Sequence, residues 1–246
     1  MSHIHVDIEN LGFCYEKDKP ILKDLNLHFK EGESIGIIGA NGVGKSTLLK
    51  LLVGLDLEFD GEIRIVEIPV EKNTLPKIRE RVGYVFQDSE NQLFTSKVYD
   101  DVAFAPRNYG FSKEEVKKRT EHALEMVHIS HLADKQIYKL SGGEKKLAAI
   151  ATILSMTPDI ILMDEPTNSL DPRNRRELIN LLNEFSHMKV IASHDLDFIW
   201  DTCSRTILMS NGCVVYDGET QEVLTNKGLL EANGLELPLS ISGRVL

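Results

Sequence analysis

Three short stretches of the chain carry residue types and spacings suited to chemistry on a phosphate ester. The first runs through Gly39, Ala40, Asn41, Gly42, Val43, Gly44, Lys45, Ser46 and Thr47 and fits the pattern GxxxxGK[ST]. Its glycines let the backbone curl so that successive N–H groups face one anion, and a helix opening near Lys45 adds a partial positive charge. Lys45 would reach the β- and γ-phosphates, and the Ser46 hydroxyl would ligate Mg²⁺. A glycine-rich turn with a solvated lysine is the plainer alternative, but it leaves the flanking apolar strand and amphipathic helix without a purpose.

The second stretch, residues 159–165, ends an apolar run with two adjacent carboxylates, Asp164 and Glu165. At the carboxyl edge of a parallel sheet, Asp164 can hold the Mg²⁺ shell while Glu165 polarises an attacking water. Adjacent strand residues point to opposite faces, so both cannot sit on the metal without a bend at the strand end, and divided roles follow. A lone pair of this kind is often just two solvated acids; the phosphate loop is what gives it meaning. The third stretch is Leu140, Ser141, Gly142, Gly143, Glu144 and Lys145, with Ser141 and Glu144 spaced as a capping box. Its glycines offer N–H donors to an anion, yet one such loop serves a triphosphate. It reads either as an ordinary capped helix start or as a second half-site met in trans.

These stretches need a scaffold of alternating strands and helices. Residues 4–10 and 22–29 alternate as exposed-face strands, whereas 34–38, 82–86, 160–163 and 190–192 are continuous apolar runs, as expected of buried parallel strands. Between residues 88 and 156 the periodicity turns helical, with Ser112 and Glu115 spaced as another capping box. An α/β core with a mainly helical insertion results, followed from Asn226 by a helix and a less ordered tail.

The sequence has 246 residues, with 28 Lys and Arg against 38 Asp and Glu, a net charge of −10. That balance argues against a nucleic-acid groove, which needs clustered cations. A chain of this length buries a sizeable core, as one large domain or one domain with an inserted subdomain. No apolar run approaches the ~18–20 residues needed to cross a bilayer, and the N-terminal stretch, which carries acids, is not read as a signal peptide. Cys14, Cys203 and Cys213 form no CxxC pair, which suits a reducing compartment and no zinc site. His3, His5, His122, His128, His131 and His187 lack metal-finger spacing and read as solvated or internally satisfied. His194 follows the apolar strand VIAS, where taken alone it is an ordinary strand-end histidine.

Taken together, the sequence resembles an ABC-type ATPase subunit over nearly its whole length, to about Gly218. The family's motifs stand in order: GANGVGKST as Walker A, Gln87 as the Q-loop, LSGGE as the signature, IILMDEP as Walker B, Ser169, Leu170 and Asp171 as the D-loop, and His194 as the switch histidine. The resemblance implies an α/β P-loop fold with a RecA-like parallel-sheet core, an N-terminal antiparallel β subdomain and a helical insertion. It divides the chain into 1–87 (β subdomain and first part of the core), 88–156 (helical subdomain), 157–218 (rest of the core) and 219–246 (C-terminal helix and tail). It makes Tyr15 the adenine-stacking aromatic, Glu165 the catalytic base or water-positioner, His194 a catalytic γ-phosphate contact, Gln87 a catalytic sensor of Mg²⁺ and the attacking water, and Ser46, Gln87 and Asp164 the Mg²⁺ shell. Two subunits, identical or paralogous, would close head to tail so that Ser141, Gly142, Gly143, Glu144 and Asp171 of one meet the ATP held by the other.

Glu144 stands where the family most often has Gln, and Ser169 where Gly is frequent. The stretch after Gln87 resembles the energy-coupling factor branch, which drives cobalt, nickel or vitamin importers, and the short chain favours the cobalt/nickel type. A vitamin importer or a soluble assembly-type ATPase is the alternative. The implied partners are an integral membrane coupling subunit and a substrate-binding membrane subunit, which would place the chain peripherally on the cytoplasmic face of the membrane, with no nucleic acid. Leu93, Phe94, Val98 and Phe104 are the candidate docking anchors, with Val98 and Phe104 equally readable as core.

Overall fold

The computed structural model describes residues 4–243. Among these, the antiparallel sheet comprises β1 (His5–Glu16), β2 (Lys19–Lys30), β4 (Asp60–Ile65) and β5 (Ile68–Pro69), in the order β2-β1-β4-β5. Its alternating residues put Val6, Ile8, Leu25, Leu27, Ile63 and Ile65 on one buried face. The second sheet comprises β3 (Ser34–Ile38), β6 (Val82–Val85), β7 (Ile160–Asp164), β8 (Met188–Ala192), β9 (Arg205–Ser210) and β10 (Cys213–Glu219), in the order β10-β9-β3-β8-β7-β6. All of its pairs are parallel except β9 with β10. The continuous apolar runs are its central strands, and β6, β7 and β8 are buried along their whole length.

Helices pack on this sheet: α1 (Lys45–Leu52), α2 (Leu75–Arg81), α6 (Gly142–Leu154), α7 (Pro172–Glu184), α8 (Leu196–Thr202) and α9 (Thr220–Thr225). The stretch between β6 and β7 contains no strand of the two sheets and adds the helices α3 (Val98–Val102), α4 (Phe104–Asn108) and α5 (Lys113–Met126) before α6. One cluster of buried side chains lies under α3, α5 and α6, while a second joins the antiparallel sheet to β3 and α1. This is the ABC ATPase P-loop fold, a mixed α/β arrangement with one antiparallel and one mainly parallel sheet.

Several local expectations change. Ser112 caps α5 by accepting from the Glu115 N–H, but the Glu115 carboxylate turns to Arg119 at 2.7 Å instead of closing the box. The β1 and β2 strands run five and four residues longer than their alternation indicates, because main-chain pairing continues past several bulges into the hairpin end. The stretch after Asn226 is not loose within the described residues. It forms α10 (Lys227–Ala232), which buries Leu230, and α11 (Leu239–Ser242), whose Leu239 and Ser240 N–H groups both donate to Asp197 at 3.0 Å. No helix among the described residues is long and apolar enough to cross a membrane.

Candidate nucleotide site at the carboxyl edge of the parallel sheet

The site assembles where β3, β6, β7 and β8 end side by side. Parallel pairing puts the carboxyl ends of neighbouring strands at one edge, so residues far apart in sequence converge there. Residues 39–44 leave β3 with positive φ at Gly39, Gly42 and Gly44 and deliver the chain into α1. Glycine is required at Gly39, because a Cβ there would lie 2.3 Å from the Met209 carbonyl oxygen. A cavity of about 560 Å³ lies in front of this loop, lined by Tyr15, Asn41, Gly42, Gly44, Lys45, Ser46, Thr47, Gln87, Glu165 and His194. Residues from five separate regions of the sequence thus share one concave space.

Lys45 is buried, and its Nζ donates to the carbonyls of Gly39 at 2.7 Å and Ala40 at 3.1 Å. Burial lowers its pKa, against the opposing pull of Glu165 and Asp164. Two weak carbonyl acceptors are what phosphate oxygens would displace. Tyr15 stands at the rim, 56% exposed, edge-on to Phe13 with ring centres 4.7 Å apart and its hydroxyl 3.4 Å from Thr47 Oγ1. A mostly bare aromatic face beside the loop suits stacking by a planar base.

Asp164 and Glu165 separate as the strand geometry requires. Asp164 ends β7 and faces α1, accepting from Ser46 Oγ at 2.8 Å and from the Tyr84 hydroxyl at 3.3 Å. Burial raises its pKa, the Ser46 hydrogen bond works against that, and the neighbouring Glu165 charge adds to it. Glu165 follows just past the end of β7 with φ +47°, and its N–H donates to the Ala192 carbonyl at 2.9 Å. Its three side-chain contacts fall on one oxygen: Oε2 meets His194 Nδ1 at 2.7 Å, the His194 N–H at 3.2 Å and Ser193 Oγ at 3.2 Å. Oε1 makes no hydrogen bond within the described residues, which leaves it available to accept a proton.

The residues present fit Mg²⁺. Ser46, Gln87 and Asp164 line one further cavity, of about 730 Å³, and offer only oxygen donors, the set a hard cation takes. Elsewhere His122, His128 and His187 border a separate cavity. Among the described residues no group of three or more His, Cys, Asp or Glu is placed to hold a metal, and His3 lies outside the described residues.

The signature residues lie apart from the phosphate loop. Ser141 caps α6 in a complete, reciprocal capping box with Glu144, and Lys135 Nζ sits 3.0 Å from both Glu144 oxygens. The extra acid at Glu144 is therefore paired, and the Ser141 hydrogen bond is the larger reason its pKa falls. Gly142 reaches the edge of the Mg²⁺-side cavity, whereas Ser141, Gly143, Glu144 and Asp171 line neither cavity. Asp171 is engaged as the cap of α7, accepting from the N–H groups of Arg173 and Asn174 at 2.9 Å. Ser169 holds φ +70°, a conformation that favours glycine, at the position where the family often has one. Of the four candidate anchors, Leu93 and Val98 are buried in the helical core and cannot dock a partner. Phe94 and Phe104 are 65% and 41% exposed and stack edge-on with centres 4.6 Å apart.

Sequence reasoning missed Tyr84, Ser193, Gln92 and Lys146. Gln92 fastens the end of β6 to α6, accepting from the Phe86 N–H at 3.2 Å and donating to Ala149 O at 2.7 Å and Thr152 Oγ1 at 2.8 Å. Tyr84 and Ser193 are embedded in apolar strands, and only a polar residue inside a buried run marked them.

Known proteins give the same picture. The family profile described as ABC transporter matches residues 22–168. A putative ABC transporter ATP-binding protein of Geobacter sulfurreducens is 47% identical over 243 residues, 99% of this chain and 98% of that protein. An energy-coupling factor transporter ATP-binding protein of Carboxydothermus hydrogenoformans is 39% identical over 242 residues, 97% of this chain and 89% of that one. The structure of cbiO1 from Clostridium perfringens, described as part of the ABC transporter complex cbiONQ, superposes with a TM-score of 0.83 at 36% identity, covering 100% of this chain and 99% of that chain. With the phosphate loop, Glu165 and the strand-end His194 in one cavity and Asp164 on the Mg²⁺ side of Ser46, the chain belongs to the ATP-binding subunits of the ABC transporter family.

Proposed function

We propose that the chain hydrolyses ATP as one half of a two-ATPase engine in an energy-coupling factor transporter, powering import of a transition-metal ion, cobalt or nickel. The observation that carries the catalytic part is Glu165, with one oxygen fastened by His194 and Ser193 and the other unbonded, in the same cavity as Lys45 and Ser46. Adenine stacks on Tyr15, and the N–H groups of residues 39–47 take the β-phosphate. Lys45 exchanges its two carbonyl partners for phosphate oxygens. Mg²⁺ held by Ser46, Gln87 and Asp164 would offset phosphate charge. Glu165 Oε1 accepts the proton of the attacking water, and His194 keeps the carboxylate aimed while its exposed ring faces the γ-phosphate.

Ser141, Gly142, Gly143, Glu144 and Asp171 act on the ATP of the other protomer, so ATP bridges the two and hydrolysis releases them. In this reading residues 88–156 form the arm that reaches the membrane partners, with the Phe94 and Phe104 pair as the contact. The branch is supported by the energy-coupling factor relative and by the likeness to a cbiONQ component. The chain then sits peripherally on the cytoplasmic face, and the ion is bound by its partners. The test is reconstitution of the chain with its membrane partners in vesicles, followed by ATP-dependent uptake of Co²⁺, Ni²⁺ and vitamins side by side. Metal uptake supports the reading, vitamin uptake alone moves the chain to the other arm of the branch, and no uptake of any solute refutes the transport role.

A further inference from the structure

Lys146 is 2% exposed on α6, beside the buried Leu147, Ala148, Ala149 and Ile150. Burying an ammonium costs far more than burying a leucine unless the charge is well paired. Its Nζ donates to the Phe86 carbonyl at 3.0 Å and the Gln87 carbonyl at 2.7 Å. Asp164, Asp88 and Glu165 supply a stabilising negative field, and burial nevertheless lowers its pKa to about 8. Packing alone would be served better by an apolar side chain, so the two carbonyl contacts are what the lysine supplies.

Those contacts belong to a set. Gln92 holds the Phe86 N–H against α6 and Lys146 holds the Phe86 carbonyl, so the main chain of the residue before Gln87 is fastened at both its donor and its acceptor. Lys145 makes an ion pair with Glu90 on the same stretch. One helical turn before Lys146, the first turn of α6 packs on the other catalytic loop: a Cβ on Gly142 would lie 3.2 Å from Ser169 Cβ. Residue 87 and the LSGGE loop are thus attached to the same rigid 13-residue helix, at points about one turn apart.

We propose that Lys146 is a positioning residue that ties Gln87 to the signature helix of its own protomer, so that filling a protomer's phosphate loop sets the orientation of the LSGGE loop it presents to the other protomer. This assignment rests on the two-protomer sandwich proposed above. It gives communication between the two ATP sites a short path through one helix, with Lys146 as the link that reaches Gln87 itself: Gln87 responds to the nucleotide in cis, and α6 carries that response to the site in trans.

The test is hydrogen–deuterium exchange on the full chain with and without Mg²⁺-ATP. A Ser141→Arg background keeps the sandwich from closing and leaves ATP unhydrolysed. With Lys146 present, ATP slows exchange in residues 39–47, in 86–91 and in 142–147. Lys146→Met keeps the side-chain length and removes the donors. It retains protection of 39–47, raises exchange in 86–91 by about tenfold or more, as expected for losing two charge-assisted hydrogen bonds, and abolishes the ATP response of 142–147. Lys146→Arg, with donors restored, recovers that response. An undiminished ATP response of 142–147 in Lys146→Met overturns the assignment, as does failure of Lys146→Arg to rescue it while both variants bind ATP. Absence of protection at 39–47 in the parent chain overturns the ATP reading itself, and the Lys146 role with it.

Discussion

Replacing Glu165 by glutamine separates two things that the carboxylate does. All three of its contacts fall on Oε2, so the glutamine oxygen can take that place and keep the His194 N–H and Ser193 Oγ satisfied. The amide nitrogen then occupies the position of Oε1, where it cannot accept a proton. The loss is the general-base contribution alone, about 10²–10⁴ in turnover. Affinity for ATP, set by Lys45 and the loop N–H groups, changes little. Glu165→Ala adds a structural cost, because a buried hydroxyl and an N–H lose their acceptor, about 1–3 kcal/mol. In a chain of this size that is roughly 2–4 °C of melting temperature per kcal/mol. Single-turnover phosphate release, equilibrium ATP binding and thermal unfolding on both variants check the three parts. Phosphate release within tenfold of the parent by Glu165→Gln would falsify the base assignment, and a fall in its melting temperature equal to that of Glu165→Ala would refute the one-oxygen tether.

Four further outcomes follow from particular contacts. Ser141→Arg is expected to abolish steady-state hydrolysis while the isolated chain binds ATP with nearly unchanged affinity, measured by fluorescent-nucleotide titration. Gly83→Ala places a Cβ 2.0 Å from Ile153 Cγ2 beside the strand that feeds Gln87, and urea unfolding should show about 1–3 kcal/mol of lost stability from overpacking. Ser169→Gly relieves the left-handed backbone at φ +70° by about 1–2 kcal/mol against about 0.5–1 kcal/mol of added chain entropy, so the same unfolding assay should show a small gain. Cys14 is exposed, whereas burial pushes the Cys203 thiol up to about 12, so a thiol reagent should modify Cys14 in the native protein and Cys203 only on unfolding.

The sequence showed most of the site because its residues are constrained by local chemistry. A phosphate loop must be glycine-rich, and a carboxylate pair must end a buried strand, so residues 39–47 and 164–165 announce themselves. What escaped detection depends on contacts across the fold. Lys146 and Gln92 look like ordinary polar residues of a helix and a loop, and they gain their role only because α6 packs on the end of β6. Phe94, in the loop before α3, and Val98, at its first position, are both apolar residues in a short stretch with no clear period, so nothing local separates the exposed one from the buried one. Glu115 fits a capping box by spacing, yet Arg119 one turn later competes for its carboxylate and wins. Strand alternation anticipates separate roles for Asp164 and Glu165, whereas the left-handed backbone at Glu165, φ +47°, has no local mark in the sequence.

The strand order bears on how the protein is made. The register sets Ile35 of β3 against Val190 of β8 on one side and Arg205 of β9 on the other, partners that leave the ribosome 155 residues later or more. At ~5–20 residues per second, the strand that launches the phosphate loop waits about 8–30 s for either neighbour. Through that interval its apolar faces and both of its main-chain edges are unpaired, which makes the nascent chain a client for chaperones and an aggregation hazard when synthesis is fast and folding help is scarce. Nucleotide cannot rescue it, because the strand that presents the phosphate loop has no neighbour in the sheet until β8 is complete. A stop or slow codon cluster before residue 190 should therefore yield insoluble protein, while one after residue 210 should leave a chain that already binds ATP.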